Sequence, residues 1–128
     1  MQEILDIIDE YVEAIDRADY ETVAKLHHSD DPRFSAIEDF IPEPFGKETF
    51  DEIILWIKEN AEPGYLNLSY EKTKVHKLAE DVCYSTSVVR QRSNGHEGFG
   101  RATLIFIKKD GRWGILHGHW SNMPEMHE

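Results

Sequence analysis

Residues 111–124 read GRWGILHGHWSNMP. His117 and His119 stand two apart there, between Trp113 and Trp120, and that spacing puts both imidazoles on one face of a strand. Such a pair can hold a metal, move protons or fill an interface. A metal needs a third and a fourth ligand, with further groups to orient them. His96 and Glu97 are the nearest candidates, but they fall in the turn at the other end of the same hairpin. The chain has no HExxH motif and a single cysteine. The expectation is no metal and no cofactor, with His117 and His119 packed and hydrogen-bonded in the sheet. His27 and His28 are placed at a helix end, where positive charge suits the dipole. His76 and His127 read as surface residues.

These residues need elements to position them. Ile4, Leu5, Ile8, Tyr11, Val12 and Ile15 recur at one-face helical spacing, which predicts a helix over residues 3–17. Asp19 is an N-cap candidate for a short second helix running to about His28. "RFSAIEDF" is a short strand or extended segment, ended by "IPEPFG". A third helix runs from Lys47 to Asn60, with Phe50, Ile53, Ile54 and Ile57 on one stripe. After Gly64 the pattern is strand: four β-rich stretches separated by "AED", "SNGHEG" and "DG", the last a strong hairpin signal. Helices first and an antiparallel meander after them predict an α+β fold, with three N-terminal helices packed on a curved, mainly antiparallel β-sheet.

Composition excludes several partners. The chain has 128 residues, which suits one domain over residues 1–128, and a net charge of −11. Nucleic acid and anionic membrane surfaces both want a basic face, so neither is expected. Cys83 stands alone and reads as a reduced core residue. The first ten residues carry acids where a signal peptide would carry positive charge, and no apolar run would span a bilayer. The expected location is the cytoplasm.

Alternation along the last strand puts Trp113, Ile115, His117, His119 and Ser121 on one face, and Leu116, Gly118 and Trp120 on the other. Pairing the apolar sets places Leu104, Phe106, Leu116 and Trp120 under the helices. Arg101, Trp113, His117 and His119 then share a mixed face, too apolar to leave in water, which predicts a homodimer through the sheet. A ligand pocket is expected among Trp56, Tyr84, Leu104, Phe106, Leu116 and Trp120, with Arg90 as a polar anchor.

The stretch FGRATLIFIKKDGRWGILHGHWSNMP resembles the C-terminal hairpin of SnoaL-like domains, and EYVEAIDRADYETVAKL resembles their first two helices. These domains belong to the nuclear transport factor 2-like superfamily, with ketosteroid isomerases, polyketide cyclases, scytalone dehydratase and the association domain of calcium/calmodulin-dependent kinase. The resemblance implies a cone with an apolar pocket for a small, largely apolar molecule, and a homodimer. It brings Tyr11 to the place of the isomerase's oxyanion-stabilising tyrosine, and Glu38 or Asp39 near its general base. The isomerase's further acid, on the penultimate strand, has no counterpart, since Leu104 or Thr103 stands there. The resemblance therefore implies either a binding domain of undetermined activity or an isomerase, cyclase or dehydratase working by acid–base chemistry. The fold hosts many activities, so it does not choose between them.

Overall fold

The computed structural model describes residues 2–64, 66–93 and 96–123, apart from the side chains of Ser93 and His96. Three helices come first: α1 (Gln2–Asp16), α2 (Tyr20–Lys25) and α3 (Lys47–Asn60), with a short strand β1 (Ser35–Ile37) before α3. Four long strands follow: β2 (Leu68–Ala79), β3 (Val82–Ser93), β4 (His96–Lys109) and β5 (Arg112–Asn122). They make one sheet in the order β1-β5-β4-β3-β2, antiparallel except where β1 runs parallel to β5. Among the described residues no helix is long and apolar enough to cross a membrane.

Local chemistry explains most boundaries. In α1, Ile4, Ile8, Tyr11 and Ile15 are buried, while Glu3, Asp6, Asp9 and Glu10 face away from the core. The chain reverses at Ala18, whose φ is 58°, and Asp19 caps α2 by accepting from the Thr22 N–H and hydroxyl. Between β4 and β5, Asp110 and Gly111 both have positive φ, the geometry of a two-residue primed hairpin turn.

α2 is shorter than its periodicity predicts. After Lys25 the chain leaves the helix and runs beside β5: Ile115 N–H donates to Leu26 O, and His28 N–H donates to Ile115 O. His27 and His28 are therefore buried, not helix-end cations at the surface.

The register of β5 corrects the expected faces. Ile105 pairs with His117, yet Phe106 pairs with Ile115, so Leu116 is an extra residue in a β-bulge. A bulge inverts the alternation on either side of it. Ile115 thus joins the core with Leu104 and Phe106, and Trp113 packs against that same cluster. Leu116 is half-buried and lies outside it. His117 and His119 stay on the opposite face, beside Ile105 and Thr103.

The core fills one end of the interior with Ile4, Ile8, Cys83, Leu104, Phe106 and Ile115, each at most 3% exposed. Nearby, the almost fully buried Asp31 carboxylate pairs with Arg33 at 2.8 Å and with Lys109 at 3.0 Å, fastening the α2–β1 connection to the end of β4. These two cations hold the carboxyl well below the usual range.

Candidate functional site

At the other end the helices and the sheet diverge. They leave a cavity of about 620 Å³ between α1, α2, α3, β1 and the ends of β2–β5. Most of its wall is apolar: Ile15, Val23, Phe45, Phe50, Ile54 and Ile57 are typical contributors. The size and lining suit a small organic molecule. The third helix covers the cavity. Of its stripe only Phe50 is buried, while Ile53, Ile54 and Ile57 are half-buried and line the cavity.

The polar side chains that line it come from distant parts of the chain. Tyr11 is on α1, His27 follows α2, Glu38 follows β1, Tyr70 is on β2 and Trp120 is on β5. Trp120 Nε1–H donates to the Tyr70 hydroxyl at 2.8 Å. An indole can only donate, so the Tyr70 oxygen accepts and its own proton remains for another partner. The Tyr11 and Tyr70 rings meet edge to face, 6.0 Å between centroids. Burial raises both phenol pKa values, and nearby Glu38 raises them further, so both carry their protons at neutral pH.

Glu38 is half-buried, and among the described residues no group hydrogen-bonds to its carboxyl. Burial, with a smaller effect from Asp39, pushes its pKa up to about 7. Asp39 is exposed and accepts from the Asn122 N–H, which ties the β1–α3 connection to the end of β5. His27 Nδ1–H donates to Val23 O at 2.7 Å, so Nε2 carries the lone pair. That lone pair is buried and has no partner among the described residues. Burial lowers the His27 pKa to about 4, keeping the ring neutral.

Three of the residues named from the family resemblance, Tyr11, Glu38 and Asp39, meet at this cavity, and Trp120 is in its wall. The remaining pocket expectations fall elsewhere. Trp56 is 62% exposed on the outer side of α3. Leu104 and Phe106 belong to the filled end, and Leu116 sits in the bulge, outside the lining. Tyr84 stacks on His76, 4.9 Å between centroids, away from the cavity. Arg90 pairs with Glu71 and Glu97 and lies over the Phe99 ring. Of the residues expected at a dimer face, Trp113 packs on the core, and Arg101 is exposed at the cavity rim. His119 is exposed, and His117 Nδ1 hydrogen-bonds Ser35 Oγ at 2.7 Å across the β1–β5 pair. Among the described residues no group of three His, Cys, Asp or Glu side chains could hold a metal.

Sequence reasoning missed Tyr70 and His27. Tyr70 sits in an alternating strand, and nothing local distinguishes it from any half-buried tyrosine. His27 carried a signal that was read the wrong way. It lies four residues after Val23, in reach of that carbonyl, beside a second histidine that also turns inward.

Among solved structures the chain is similar to a nuclear transport factor 2-like protein of unknown function from Pseudomonas putida KT2440. That match has 21% identity, covers 98% of this chain and 87% of that one, and has a TM-score of 0.82. It is similar at 18% identity to a provisionally assigned dehydratase of the same fold family from Streptomyces avermitilis, over 97% and 96% of the two chains, with a TM-score of 0.80. The association domain of CaMKII from C. elegans matches at 21% identity, over 94% and 93%, with a TM-score of 0.77. At these identities the likeness shows the fold alone. No curated protein matches the chain. The helices on a bent sheet, the cavity at the open end, and a family model matching residues 4–126 agree: the chain belongs to the SnoaL-like domain family.

Proposed function

We propose that the cavity binds a small, largely apolar molecule whose polar end meets Tyr11, Tyr70 and Glu38. The observation that carries this reading is the wall itself. About 620 Å³ is bounded mainly by aliphatic and aromatic side chains, and Tyr11, Tyr70 and Glu38 are among the polar groups that also face it. Apolar space with a few polar groups is the usual form of a small-molecule site. Calorimetric titration with fused-ring ketones and alcohols should show binding with a negative heat-capacity change. Tyr70→Phe should weaken it by about 0.5–1.5 kcal/mol, the usual worth of one neutral hydrogen bond. A panel of steroids, polyketide-like rings and aromatic ketones that gives no binding would reject the reading.

One observation favours a catalytic version. A carboxyl with a pKa of about 7 beside two protonated phenols is suited to take a proton next to a carbonyl while a phenol donates to the carbonyl oxygen. Such a pair supports isomerisation or dehydration. The resemblance of the fold to a provisionally assigned dehydratase is consistent with it. Under this reading Glu38→Gln lowers turnover by about 10²–10⁴ with the fold intact, the usual loss for a general base. Asp39→Asn changes it little, since Asp39 holds the Asn122 backbone. Unchanged turnover in Glu38→Gln would leave binding alone. The homodimer is likewise a proposal, now through the sheet face of Thr103, Ile105, His117 and His119. A monomer mass by light scattering at micromolar concentration would reject it.

A further inference from the structure

His27 is 4% exposed, and its ring is wedged among Tyr11, Phe34 and Phe50 at centroid distances of 6.0, 5.9 and 4.7 Å. The Nδ1–H bond to Val23 O fixes the tautomer, because a carbonyl oxygen only accepts. Nε2 is then an acceptor and nothing else, and among the described residues no group donates to it. Buried polar atoms in folded proteins nearly always have a partner, so an exception calls for an explanation. His27 also lines the cavity, beside Tyr11 and Phe50. Glu38, which lines the same cavity, is an acceptor when ionised. The His27 lone pair and the ionised Glu38 carboxylate therefore both call for a hydrogen-bond donor.

We propose that His27 Nε2 accepts a hydrogen bond from the bound molecule, so the site selects ligands that carry a hydroxyl or amine donor at their buried end over isosteres that only accept. This rests on the cavity being a ligand site, and it goes further by naming the chemical group and the residue that reads it. The donor occupies the lone pair left by Nδ1. Tyr70 keeps its own proton for an acceptor elsewhere on the same ligand. Phe50, the buried residue of α3, packs on the His27 ring, so a molecule that reaches Nε2 also touches the helix that covers the cavity.

The test uses the full chain and three near-isosteric probes. 9-Fluorenol and 9-aminofluorene donate; 9-fluorenone only accepts. Calorimetry on the wild type, with the amine probe measured above its own pKa so that it is neutral, should show both donors binding about three- to tenfold tighter than the ketone, the range of one neutral hydrogen bond. The stronger of the two tells hydroxyl from amine. His27→Phe keeps a flat ring and should bring the three affinities together. If that variant fails to fold, nitrogen NMR of the wild type decides the matter. The His27 Nε2 resonance should move on saturation with fluorenol and stay put with fluorenone. Equal affinities in the wild type with an unmoved Nε2 resonance would overturn the role of His27, an immobilised water then being its partner, and would leave the cavity reading standing. No binding of any probe would remove both.

Discussion

The interior has two ends built on different terms. At one end Phe106, Leu104, Cys83 and Ile115 from three adjacent strands close against Ile4 and Ile8 of α1, and every one is at most 3% exposed. At the other end α3 spans a gap, and its Ile53, Ile54 and Ile57 remain half-buried around a cavity. The first end holds the fold. The second collects hydroxyls, a carboxyl and an imidazole on apolar ground, where each is worth more electrostatically than in water. One sheet serves both because strands that twist and bulge cannot stay in contact with helices along their whole length.

The sharpest way to break this comparison is to remove equal volumes from each end. Ile115→Ala should cost about 2–5 kcal/mol, since the side chain is fully buried and its neighbours cannot collapse into the space. Ile54→Ala at the open end should cost only about 1 kcal/mol, because Ile54 already borders empty space. Denaturant midpoints measured on both, with unchanged slopes, check the ratio. Equal losses would mean that α3 is as firmly packed as the sheet.

A second test acts where the two ends meet. Gly118 lies directly under the Trp120 ring: a Cβ there would come within 2.2 Å of the indole Cη2 and 2.6 Å of Cζ3. The ring can swing only by giving up its bond to the Tyr70 hydroxyl. Gly118→Ala should cost about 1–3 kcal/mol of stability, the usual range for overpacking. It should also weaken near-ultraviolet circular dichroism from the tryptophans and lower affinity for the cavity probes. Full stability with full affinity would show that Trp120 has a second place to go.

The two ends were unequally legible. The filled end follows from periodicity: the α1 stripe, the alternation of Leu104 and Phe106, and the Asp-Gly turn are local patterns, and the structure repeats them. Ile115 is the instructive exception. Alternation alone puts it with His117, and one extra residue at Leu116 moves it to the core. A bulge has no reliable local signature, because it is settled by how β5 must twist to meet β1 on one edge and β4 on the other. The cavity drew on pairings that span most of the chain. Parallel contact between β1 and β5 carries Glu38 into place, and a bond between residues 70 and 120 orients the tryptophan. Neither can be read from a window of neighbouring residues. Tyr11, Glu38 and Asp39 were named through a family resemblance, while their own surroundings in sequence would not have marked them.

The smallest effect concerns charge at the open end, and its sign can be worked out. Glu38 has an ordinary value of 4.5 and is pushed up to about 7 by burial and by Asp39. Between those values the folded chain keeps a proton that the unfolded chain gives up, so stability falls as pH rises through that window and stays lower above it. His27 works in the opposite direction. Its value drops from 6.5 to about 4, so the folded chain refuses a proton that the unfolded chain takes, and stability falls as pH falls through that window. Replacing Glu38 with glutamine removes only the first slope. Glu38→Gln and wild type should therefore be equally stable near pH 4. At pH 8 the variant should be more stable by about 1–2 kcal/mol, a figure reduced from the full shift because solvent still reaches the carboxyl. Chemical denaturation at the two pH values measures the difference. A gap of the same size at both would mean that Glu38 ionises in the cavity as it does in water. The open end would then lack the low-dielectric character that separates it from the surface and makes its carboxyl useful for moving a proton.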